Sequence, residues 1–122
     1  MVRPRAKLAV ADNSGAKMLV VIGIGKGTGK RFAKLGDVIT CTVRGAVPNS
    51  QVKDHEIVKV VLVRTRKEVK RKDGSYIRFS DNAGVVIDSA RVPRATRIFG
   101  PVAQEIKMKG FNKIASLAKE VL

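Results

Sequence analysis

The sequence predicts a mainly β fold, a small antiparallel barrel or sandwich with two short helices after it. Three observations carry this. Runs rich in Val, Ile and Leu recur at short intervals, the residues between them are turn formers without helical period, and a period near 3.6 emerges only in the last third. At 122 residues with 44% hydrophobic content, the chain fits one domain able to bury about two thirds of its unfolded surface.

The strands are expected at Lys7 to Ala11, Ala16 to Ile24, Val38 to Val43 and Ile57 to Thr65, with a final strand at Gly84 to Ile87. Reversals fall at Asp12-Asn13-Ser14-Gly15, at the glycine-lysine stretch after Ile22, and at Pro48-Asn49-Ser50. Cys41, alone inside ITCTV, reads as a small buried strand residue. Ser14 reads as a turn or cap hydroxyl, and the only histidine, His55, as an exposed loop or strand-edge residue. Asp73-Gly74 marks a tight hairpin whose two-residue turn sets Lys72 opposite Ser75, Arg71 opposite Tyr76 and Val69 opposite Arg78. After the last strand, RVPRATRIFGP reads as an ordered loop carrying Arg91, Arg94 and Arg97. Pro101 then opens a helix to about Met108, which Gly110 stops. Phe111, Ile114, Ala115 and Ala118 form the apolar stripe of a second helix.

Charge narrows the function. The chain holds 25 Lys and Arg against 10 Asp and Glu, a formal +15. Such a surface repels itself and draws polyanions, nucleic acid before anionic membrane. The longest apolar run, Met18 to Ile22, is far short of a span of about 20 residues, and the opening MVRPRAKLAVAD has no signal-type segment. A soluble intracellular protein without a membrane partner is therefore expected. The strand from Arg64 to Lys72 concentrates six cations against Glu68, and alternation distributes them on both faces, so neither face forms a core. A lone two-stranded ribbon is marginal in water, which favours one that projects and is steadied by RNA. A solvated edge strand kept unpaired by its charges explains the same pattern.

The stretch GIGKGTGKRF, Gly23 to Phe32, looks built for phosphates, but its spacing fails for a nucleotide. Ile24 stands where the phosphate loop needs its first glycine and Arg31 where it needs a hydroxyl; the dinucleotide pattern fails at Thr28 or Lys30. Its glycines instead let Lys26, Lys30 and Arg31 approach an RNA backbone. One histidine, one cysteine and scattered carboxylates give no triad and no metal set, so no catalysis, cofactor or metal is expected. Rings are too few for a binder of single strands: Phe79, Phe99 and Phe111 sit in apolar contexts, and only Phe32 and Tyr76 are candidates for stacking. Phosphate contact with folded RNA is the expected chemistry. A single-strand chaperone and a nucleotide enzyme are the competing readings.

The segments VRTRKEVKRKDGSYIRFSDNAGVVI (63–87), ADNSGAK (11–17), GDVI (36–39), TRIFGPVA (96–103) and KIASLAKEVL (113–122) closely resemble the L fourteen family of large-subunit ribosomal proteins. The family's signature is met by Val61 to Val63, Asp73-Gly74, Phe79, Asn82 and Val85-Val86, with Val60 departing at its first position. The resemblance implies a five-stranded barrel over about 1–92, a projecting ribbon over about 64–79, and a loop with two helices over about 93–122. It implies a non-catalytic structural constituent of the large subunit, in a cytoplasmic or organellar ribosome. The implied partners are large-subunit rRNA, small-subunit rRNA across the subunit interface, proteins L nineteen and L three, and a ribosome silencing factor, with no homo-oligomer. The rRNA-binding residues expected are Lys26, Lys30, Arg31, Arg44, Arg64, Arg66, Lys67, Lys70, Arg71, Lys72, Arg78 and Arg94. Thr96, Arg97, Lys113 and Ser116 match the intersubunit and silencing-factor face. Ala95 stands where the family usually has glycine; a positive φ there would strain this loop by about 1 kcal/mol.

Overall fold

The computed structural model describes residues 2–24 and 32–122. Five strands close a barrel: β1 (Lys7–Val10), β2 (Ala16–Gly23), β3 (Val38–Ala46), β4 (Ile57–Arg64) and, after the ribbon strands β5 (Val69–Lys70) and β6 (Tyr76–Ile77), β7 (Ala83–Ile87). Their order is β1-β2-β3-β4-β7. Each neighbouring pair is antiparallel except β1 with β7, which is parallel. An odd number of strands forces this, since alternating directions around five positions leave first and last running the same way. Two short helices follow, α1 (Glu105–Met108) and α2 (Asn112–Leu117).

Alternation along β4 explains why this strand is apolar nearly throughout. Val58, Val60 and Leu62 fill the barrel with Leu8, Leu19 and Cys41, while Val61 and Val63 face a second core under the helices with Ile106, Phe111 and Ile114. Strand β7 is buried along its whole length for the same reason. Its Gly84 sits where a Cβ would come 2.3 Å from Cγ1 of Val60, so close approach of two strands requires glycine there. Cys41 lies inside the barrel, where burial pushes its thiol up to about 12.

Three local expectations are corrected. The ribbon register differs by one residue: Val69 lies opposite Ile77 and Lys70 opposite Tyr76. Arg71 N–H donates to Ser75 O and Gly74 N–H to Arg71 O, which closes a three-residue loop with only Gly74 at positive φ, +90°. The two-residue turn needs positive φ at Asp73 as well, but the Asp73 carboxylate accepts from Ser75 N–H (2.9 Å) and Ser75 Oγ (2.6 Å). That local ring holds a type I turn followed by a glycine bulge. One face of the ribbon is consequently apolar enough to dock, since Val69 and Ile77 pair and are half-buried.

Pro101 does not open a helix. Val102 instead bridges Val121 in parallel, and α1 starts at Glu105, with Gly110 following its end. Pairing two remote segments satisfies the backbone that an isolated turn at Pro101 would leave open. Phe99 is 52% exposed because Ile98 of the same extended stretch faces the second core. Phe111 is buried as expected, with the Arg91 guanidinium 4.4 Å from its ring centre, and Phe79 is half-buried. Ala95 is buried and its φ is not positive, so the alanine brings no strain of that kind.

Candidate nucleic-acid interface

Ten carboxylates cannot neutralise 25 cations, so the positions of the ten decide which cations are left to act outward. Four acids pair with basic residues, three of them arginines at least partly buried in the fold and the fourth the exposed Lys109. The side chain of Arg64 is only 11% exposed; its Nε lies 3.0 Å from Asp81 and its Nη1 donates to the carbonyls of Phe99 (3.0 Å) and Pro101 (3.3 Å). A β-bulge at Val63 starts this inward turn, because the β4–β7 register slips between Leu62 and Arg64. Arg71 Nε lies 2.8 Å from Glu105, with side chains 21% and 23% exposed, and Nη2 donates to Leu122 O. Arg94 donates to Glu56 at 2.8 Å and to Gln51 O at 2.7 Å. Lys109 pairs with Asp37 at 3.2 Å.

These contacts turn inward Arg64 and Arg71, two of the six cations of the Arg64–Lys72 strand expected to bind rRNA. Arg64 is a strut between barrel and the Phe99–Pro101 loop, and Arg71 ties the ribbon back to α1 and the last residues. Arg94 braces the loop before β4. Lys67 remains exposed beside Glu68, whose carboxyl its hydrogen bond holds below the usual range. Arg66, Lys70, Lys72 and Arg78 are exposed and form no ion pair among the described residues, although the charge of Arg78 reaches Glu68. Lys70 shares the outer face with Tyr76, which is 63% exposed. Arg66 and Arg78 meet at the ribbon base, lining an open notch of about 480 Å³ with Phe79 and Ser80. Asn82 Oδ1 fixes this base by accepting from Arg66 N–H, and Phe79 N–H donates to Thr65 O. Lys26, Lys30 and Arg31 lie outside the described residues, and Arg44 is exposed on β3.

A second surface forms around Thr96 and Arg97. Asn13 positions them: its Oδ1 accepts from both backbone N–H groups at 3.0 Å, its Nδ2 donates to Thr96 Oγ1 at 3.0 Å, and its own N–H donates to Arg97 O. Asn13 is itself held by its neighbours. Buried Asp12 accepts from Ser14 Oγ (2.7 Å), Ser14 N–H (3.2 Å) and Val86 N–H (2.9 Å); burial nevertheless raises its pKa. Thr96, Arg97 and exposed Phe99 line a cleft of about 300 Å³ with Leu117 and Lys119. This brings the loop to the C-terminal end of α2. Lys113 and Ser116 are exposed on that helix, and Ser116 lines a separate cleft with Gln104 and Lys107. Sequence reading missed Phe99 here, though alternation with Ile98 signals it. It also missed Asn13, which no local pattern marks.

No His, Cys, Asp or Glu cluster among the described residues can hold a metal ion. No helix among them is long and apolar enough to cross a membrane.

The profile of the ribosomal protein L14p/L23e family matches residues 1–122. The chain is also 54% identical, over 121 residues and 99% of each chain, to the large ribosomal subunit protein uL14 of Petrotoga mobilis.

Proposed function

Because this chain belongs to the ribosomal protein L14p/L23e family, whose place is the large ribosomal subunit of the ribosome, we propose that it binds large-subunit rRNA directly through the cations its own carboxylates leave free. The chain is a structural constituent of that subunit, and rRNA binding is typical of the family. One observation carries the assignment to residues: Arg64, Arg71 and Arg94 are engaged internally, while Arg66, Lys70 and Lys72 stand exposed without an acid partner on one ribbon, and exposed Arg78 forms no ion pair among the described residues and feels the nearby charge of Glu68. Unpaired cations on a ribbon repel one another, and phosphates at the same spacing remove that repulsion. Arg44 adds to the set, as does Lys67, exposed although it pairs with Glu68. Lys26, Lys30 and Arg31 belong to it through the composition of their loop and the family position of the Lys30-Arg31 pair.

The Thr96-Arg97 loop with Lys113 and Ser116 is proposed as the face that meets small-subunit rRNA and, when subunits are apart, a ribosome silencing factor. Its support is the cleft that joins this loop to α2, with both polar and apolar groups exposed. Proteins L nineteen and L three are the proposed neighbours, and the chain acts as one domain and one copy. The reading is tested by replacing Arg66 and Arg78 with Gln and measuring affinity for a large-subunit rRNA transcript against salt. Two lost phosphate contacts lower the log–log slope by about 1.4 to 1.8. An unchanged slope overturns the assignment of the ribbon base.

A further inference from the structure

Outside the ribbon, the wall of the barrel carries a cleft of about 500 Å³ that brings Arg5, Lys7 and Arg44 together. Pairing places Lys7 beside Val20 and Val20 beside Thr42, with Arg44 two residues further along the same outward face of β3. No acidic side chain lines the cleft, and none of the three cations meets a carboxylate among the described residues. Arg64, Arg71, Arg94 and Lys109 each have one, so these three join Arg66, Lys70 and Lys72 as cations left without an ion pair among the described residues.

Both walls of this cleft are built from irregular backbone. Arg5 adopts φ +70°, a left-handed conformation that costs a non-glycine residue about 1 kcal/mol, and is held there by its N–H to Val21 O at 2.7 Å. Opposite it, the β2–β3 register slips between Val21 and Gly23, which leaves Ile22 as the extra residue, 48% exposed. A regular sheet would give neither feature. Together they make a concave surface with three cations, an apolar floor of Pro4, Val20, Val21 and Ile22, and, among the described residues, one neutral hydroxyl, that of Thr42.

We propose that this cleft grips a ribose-phosphate strand of RNA, a contact separate from the ribbon that rests on the rRNA-binding function proposed above. Arg5, Lys7 and Arg44 take phosphates, Ile22 packs against a sugar, and the Thr42 hydroxyl bonds a ribose 2′-OH, the group by which a site tells RNA from DNA. The spacing of three cations over one cleft fits a backbone and gives no readout of base identity.

The full-length chain tests this with an rRNA transcript titrated between 50 and 200 mM KCl. In Arg5→Gln/Lys7→Gln/Arg44→Gln the log–log salt slope weakens by about 2.1 to 2.7, for three contacts of ~0.7 to 0.9 each. One patch of the hydroxyl-radical footprint disappears while the patch lost in Lys70→Gln/Lys72→Gln remains. The melting temperature holds or rises, because three mutually repelling charges are gone. Thr42→Val lowers the preference for RNA over DNA oligonucleotides roughly threefold to tenfold. A slope and footprint equal to wild type overturn the proposal. So does loss of poly-glutamate binding with RNA binding intact, which makes the cleft a protein contact. A wild-type chain without salt-dependent rRNA binding refutes the broader function, a different result.

Discussion

Within three consecutive ribbon residues the structure assigns opposite roles. Arg71 points inward to Glu105 and Leu122, whereas Lys70 and Lys72 point to solvent. Replacing Arg71 with Gln removes a half-buried ion pair, in which neither Arg71 Nε nor Glu105 Oε2 makes a hydrogen bond among the described residues, together with the Arg71 Nη2 hydrogen bond to Leu122 O, and leaves Glu105 facing no cation. Hydrogen bonds to charged groups contribute about 1.5 to 3 kcal/mol, and exposed pairs nearer 0 to 1. With side chains 21% and 23% exposed, the pair lies between, and Arg71→Gln should cost about 1 to 2 kcal/mol, or roughly 3 to 10 °C in Tm. Lys70→Gln/Lys72→Gln should leave Tm within about 1 °C and lower the salt slope of rRNA binding by about 1.4 to 1.8. Circular-dichroism melts and filter binding measure the two effects, and the cycle with Glu105→Gln isolates the pair. If Arg71→Gln melts like wild type yet loses as much RNA affinity as a lysine variant, the inward assignment fails.

Gly84→Ala should destabilise by about 1 to 3 kcal/mol in urea, since the new Cβ meets Val60 Cγ1 at 2.3 Å; partial rescue by Val60→Ala checks that overpacking is the cause. Asn13→Ala should release Thr96 and Arg97, with amide shifts confined to that loop and its α2 neighbours, and slower subunit joining with incorporation into the large subunit intact. Failure to incorporate would contradict a positioning role. The Arg94 hydrogen bond, with Lys53 N–H, holds the Glu56 carboxyl below its ordinary 4.5. A lowered acid contributes stability that is present above 4.5 and is lost as pH falls from there through the folded value. Acid unfolding of Glu56→Gln should therefore be shallower over that window, and equal pH profiles would remove the pair from the account.

The sequence alone determined the elements whose cause is local. Period-two runs of β-branched residues mark each of the barrel strands to within a few residues, Cys41 is buried as its neighbours imply, and the stripe from Phe111 gives the second helix. The basic excess and the family's motifs point to the ribosome. Tertiary structure decided what the charges do. Whether Arg64 reaches water or Asp81 depends on a bulge and on a loop 35 residues away, and whether Arg71 reaches solvent depends on where Glu105 docks. The ribbon register turned on which of two turns Asp73 stabilises by its own side-chain hydrogen bonds. Sequence reading expects Arg44 to bind rRNA, but Arg5 and Lys7 join it over one cleft only once three strands pair in register. Local patterns fix backbone conformation because their interactions span a few residues. The partner of a long charged side chain is chosen only when the chain closes, because its head group lies several bonds from the backbone and is taken by whichever remote segment arrives there.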